Sequence, residues 1–110
     1  MVFSDADIRL FHHPYFSLIR ITDTECELKS INSGHYWKII LRSSYCDLEH
    51  KHVIHKPYHH QTAFGSVELA LLEIVNHDDY VCRRQKKSNI YHNFFEYIVD
   101  YYKEESVGNM

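Results

Sequence analysis

Residues 25–42 constrain the fold more than any other stretch of this 110-residue chain. Cys26 and Leu28 alternate with Glu25, Glu27 and Lys29, a period of two that suits a strand with one covered and one wet face. Asn32-Ser33-Gly34 follows, with a glycine able to take positive φ. Trp37, Ile39 and Leu41 then alternate with Tyr36, Lys38, Ile40 and Arg42. Two alternating runs joined in this way read as an antiparallel hairpin. A lone hairpin is marginal in water, so the rest of the chain must cover its apolar face.

The flanking segments supply the cover. Residues 15–22 alternate, with Phe16 and Leu18 on one side and Tyr15, Ser17, Ile19 and Ile21 on the other, and read as a strand. Residues 49–56, centred on Val53 and Ile54, read as a fourth, broken at Lys56-Pro57. Residues 57–65 read as a loop rich in His, Tyr and Phe. Ser66 is then a good N-cap. Val67, Ala70, Leu71, Ile74 and Val75 follow the spacing of an amphipathic helix that ends near Asn76-His77. Ser4 can cap a short turn over 5–11, stopped by Pro14. A last helix runs from a Ser88 cap to about residue 105. Only three glycines and two prolines punctuate the chain, so most of it should be regular structure. The expected fold is α+β: one domain over 1–110, with an N-terminal arm or short helix (1–14). An antiparallel sheet of three to four strands (15–56) is followed by two helices (66–77 and 88–105), at least one packed on the sheet.

Charge and cysteine usage narrow the class. The net charge is −3 with histidine neutral, neither basic enough for a general nucleic-acid binder nor acidic enough for a nucleic-acid mimic. Charge is uneven: −4 over residues 1–79, +4 over 80–95 and −3 over 96–110. Three cysteines without a CxxC pair argue against a disulfide framework and for a reducing compartment. The first residues carry acids where a leader needs bases, and no apolar run approaches the ~20 residues of a membrane span. A cytoplasmic protein is expected.

Histidine is the residue whose use stands out. Residues 50–80 hold His50, His52, His55, His59, His60 and His77 out of ten in the chain. On a strand His50 and His52 share a side. Cys46, His50 and His52, with His59 or His60 as a fourth ligand, could hold zinc. The spacing matches no standard zinc signature, and the plainer reading is half-exposed polar residues on a sheet face and loop. His77-Asp78-Asp79 could form a base–carboxylate pair, but reads more simply as a helix C-terminus with solvated acids. There is no nucleophile elbow, no phosphate loop and no HExxH. No catalytic residue is assigned, and a non-enzymatic role is favoured.

Arg83, Arg84, Lys86 and Lys87 form the one charge run, read as a linker that could meet phosphates or an acidic protein face. In the last helix Tyr91, Phe95 and Tyr102 form a second aromatic stripe beside the first, a composition that interfaces use. In size, uneven charge, aromatic richness and lack of a catalytic signature the chain resembles small accessory proteins of phages and mobile elements, such as anti-CRISPR inhibitors. The resemblance covers the whole chain as a profile. It implies a binding protein that inhibits a host or defence complex by docking on a protein or protein–nucleic acid partner. No residue role is carried over from it; from the charge run and the aromatic stripe, Arg83, Arg84, Lys86, Lys87, Tyr91, Phe95 and Tyr102 would form the docking surface, with a homodimer through helix 88–105 as a further expectation. The alternatives are a metal-binding protein or metal-dependent enzyme using segment 46–60, and a weak nucleic-acid binder through residues 83–87.

Overall fold

The computed structural model describes residues 2–85. Helix α1 (Asp5–Phe11) precedes five strands, β1 (Phe16–Ile21), β2 (Glu25–Ser30), β3 (Tyr36–Leu41), β4 (Cys46–Lys51) and β5 (His59–Phe64), and helix α2 (Val67–Gln85) follows them. The strands form one antiparallel sheet in chain order. The α+β class and the antiparallel sheet stand, with five strands rather than three to four.

The hairpin forms as its pattern demands. Cys26 pairs with Ile39 and Leu28 with Trp37, and all four are fully buried on one face. Gly34 takes a φ of 75°, the left-handed conformation the turn requires. Gly34 N–H donates to the Ser30 carbonyl at 2.8 Å and Ser30 N–H to the His35 carbonyl at 2.9 Å, which pins His35 at the mouth of the hairpin.

Two expectations shift. The fourth strand lies at Cys46–Lys51, not 49–56: Cys46, Leu48 and His50 point inward and Asp47, Glu49 and Lys51 outward. Val53 and Ile54 are instead exposed in the turn that follows. The stretch read as a loop contains β5, an edge strand pairing with β4 from His50↔His59 to Cys46↔Phe64.

Helix α2 begins where expected, with Leu69 N–H donating to Ser66 Oγ at 3.3 Å. It does not stop at His77 but runs on to Gln85. The apolar stripe Val67, Ala70, Leu71, Ile74 and Val75 continues as Asp78 and Cys82, all buried. Asp78 is tolerated there because two hydroxyls donate to it: Tyr15 OH at 2.5 Å and Ser33 Oγ at 2.6 Å. A buried carboxylate with strong donors is stable where a bare one is not. Ahead of the sheet, a Ser4/Asp7 capping box starts α1, and Phe3 meets Phe11 edge-on at 5.0 Å. The helix expected over 88–105 lies outside the described residues.

Candidate functional site

The register of the sheet gathers histidines at one end. Trp37 faces His50 across β3 and β4, and Tyr36 faces Lys51. The next step outward brings His35, from the hairpin mouth, beside His52, just beyond β4. His59 faces His50 from β5. From above, α2 lowers His77 onto the same spot, edge-on to Trp37 at 4.9 Å.

His50 is the centre. It is 3% exposed and stacks on Trp37 with ring centres 4.2 Å apart. Its Nε2 lies 3.1 Å from His35 Nδ1. In the metal-free chain one of these nitrogens carries the proton and donates to the other. His52 stacks on His35 at 4.4 Å and meets His50 at 4.8 Å. One nitrogen each from His35, His50 and His52 lie within 4.8 Å of one another. Burial, and then the neighbouring His77, His35, His52 and His59, push His50 down to a pKa of about 3. At neutral pH it is therefore the neutral imidazole, the form that binds metal. A cavity of about 260 Å³ lined by Lys51, His52, Lys56, Pro57 and His59 borders the cluster on the side of His52 and His59.

Of the five metal candidates read from the sequence, only His50, His52 and His59 come together here. Cys46 sits at the far end of β4, its thiol directed to the Ser66 carbonyl at 3.4 Å and pushed up to about 11, chiefly by burial. His60 points to the other face of the sheet, where its Nε2 lies 3.2 Å from Asp47 Oδ1. His35 and His77 were missed. The pairing of His35 follows from the register once β3 and β4 are aligned; that of His77 required knowing that α2 continues past it.

Of the residues expected to dock, only Arg83 and Arg84 fall among the described residues. Arg83 and Arg84 lie on the last turn of α2, exposed, not in a linker. Arg83 pairs with Asp79 one turn earlier, and Arg84 donates to Tyr80 OH at 3.0 Å. Lys86, Lys87, Tyr91, Phe95 and Tyr102 lie outside the described residues. Among the described residues no helix is long and apolar enough to cross a membrane. No protein-family model, curated protein or solved structure matches the chain.

Proposed function

We propose that this chain binds a transition-metal ion at His35, His50 and His52. The observation that carries the reading is the convergence of three imidazole nitrogens within 4.8 Å, on a buried histidine stacked against tryptophan. Imidazole bonds zinc at about 2.0–2.1 Å, and two such ligands on a tetrahedral ion have nitrogens about 3.3 Å apart. The His35–His50 separation of 3.1 Å already meets that geometry. His52 is exposed on a turn and closes the remaining gap by side-chain rotation. An all-imidazole set suits zinc, copper, nickel or cobalt and does not suit calcium or magnesium, which require oxygen ligands.

The test is zinc titration of chain purified without a histidine tag, read by calorimetry and by competition with a chromophoric chelator. One equivalent is expected to bind, and a His35→Ala/His52→Ala double variant is expected to lose it. Binding that survives in the double variant would refute the site.

Docking on a macromolecular partner is the second reading. It is favoured by Tyr80, 56% exposed with the Arg84 guanidinium 5.8 Å from its ring centre, an arginine–aromatic pair of the kind that anchors interfaces. Inhibition of a host or defence complex would follow from such docking. Loss of partner capture in an Arg83→Ala/Arg84→Ala variant tests it.

A further inference from the structure

Building on the metal reading, we propose that His77 is the fourth protein ligand, through Nε2, and that buried Asp78 positions it through Nδ1. Four imidazoles on one ion at about 2.0–2.1 Å have ring centres about 3.2 Å from the ion and so about 5 Å from one another. The His77 ring centre lies 4.7 Å from that of His50 and 5.2 Å from that of His35. The His35–His50 and His50–His52 pairs stand at 5.1 Å and 4.8 Å. By ring centre, His77 therefore stands from His50 and His35 much as those rings stand from each other, although it arrives from the helix and not from the sheet. The nitrogens within 4.8 Å of one another are those of His35, His50 and His52, so the His77 ring must turn to bring Nε2 to the ion.

The second ring nitrogen points the same way. His77 Nδ1 is buried and makes no hydrogen bond among the described residues, a destabilising arrangement that calls for an explanation. It lies 3.6 Å from Asp78 Oδ1, just beyond hydrogen-bond reach. Asp78 is held in place by Tyr15 and Ser33, and a carboxylate has capacity for further donors. A metal on Nε2 fixes the proton on Nδ1, and that N–H then has Asp78 as its acceptor. Metal-bound histidines commonly donate their second N–H to a carboxylate in this way. The orphaned nitrogen and the buried acid then have one common cause.

The consequence is a closed set of ligands. His35 comes from the hairpin mouth, His50 from β4, His52 from the turn after it, and His77 from α2. Four protein ligands leave no open position on a tetrahedral ion, which defines a structural or sensing site and not a hydrolytic one. The ion would tie the helix to the end of the sheet.

The test uses cobalt(II) as a coloured stand-in for zinc, titrated into tag-free, chelator-treated chain. The unmodified chain is expected to give the intense visible bands of four-coordinate cobalt. His77→Ala is expected to bind roughly ten-fold or more weakly, and its bands to fade to those of a higher-coordinate ion. Asp78→Asn is expected to lose roughly 10–100-fold in affinity while keeping four-coordinate bands. Circular dichroism establishes that each variant is folded. Should either variant fail to fold, the histidine nitrogen spectrum of the unmodified chain decides: zinc should shift the His77 Nε2 signal and leave Nδ1 protonated. If the unmodified chain binds no cobalt or zinc, the metal reading itself falls and takes this inference with it. If it binds, and His77→Ala leaves affinity and bands unchanged or zinc leaves the His77 signals unmoved, only the fourth ligand is overturned.

Discussion

His59 and His60 are neighbours in the chain and belong to opposite faces of the sheet. His60 faces the open side, beside Asp47, whose carboxyl is held below its ordinary range first by Arg42 and also by His60. That face is a lattice of compensated charge. Arg20 pairs with Glu25 and Glu27 and Arg42 with Asp47. Tyr58 lies across Lys38 and Lys51 and donates to Glu27 at 3.2 Å. His59 turns instead towards His50, on the covered face, where the ring neighbours of His50 are imidazoles and Trp37. The same residue type meets a carboxylate on one face and a ring of imidazoles on the other. The alternation of the strand decides which.

Perturbations should separate the two faces in order of size. Asp78→Ala, beneath the covered face, removes the acceptor of two hydroxyls in a dry setting and should cost about 3 kcal/mol in urea unfolding. A loss below ~1 kcal/mol would mean that the carboxylate is not holding Tyr15 and Ser33.

Acid comes next. The folded pKa of His50 is lowered from 6.5 to about 3, so the unfolded chain takes up its proton first as pH falls. The stability contributed by neutral His50 is present above pH ~6.5 and lost as pH falls from there towards ~3, with roughly 2 kcal/mol gone by pH 5 at 1.36 kcal/mol per unit. Urea unfolding of chelator-treated chain at pH 7 and pH 5 measures this, and equal stability at the two values would place His50 in a wetter setting. On the open face, Tyr58→Phe removes one half-buried hydrogen bond and should cost about 1 kcal/mol or less. Asp79→Ala, next in sequence to Asp78 but half-buried and paired with Arg83 on its own helix, should fall within about 0.5 kcal/mol of the unmodified chain. A large loss from either would show the open surfaces to be less solvated than their contacts imply.

Much of the frame was legible in the sequence because its signals are local. The 25–42 hairpin, the Ser4 and Ser66 caps and the apolar stripe of α2 all follow from spacing over a few residues. The errors arise where a polar residue occupies an apolar position. His50 breaks the inward alternation of β4 only if histidine is counted as polar, and that pulled the expected strand towards Val53 and Ile54. Strand β5 has few β-branched or large apolar residues because it lies on an edge and is largely exposed. Helix α2 reads as ending near Asn76-His77 because a buried acid at the next position, Asp78, announces itself only through partners 63 and 45 residues away. The candidate site was half legible for the same reason. His50 and His52 sit two apart on one segment, whereas His35 and His77 join them only through the register and the helix length.

Zinc-edge X-ray absorption on tag-free chain loaded with one equivalent of zinc tests the central claim most directly. The account predicts a first shell of nitrogen alone at about 2.0–2.1 Å, with the outer-shell scattering of several imidazoles. A sulfur at about 2.3 Å, or failure of the chain to retain zinc after desalting, would contradict it.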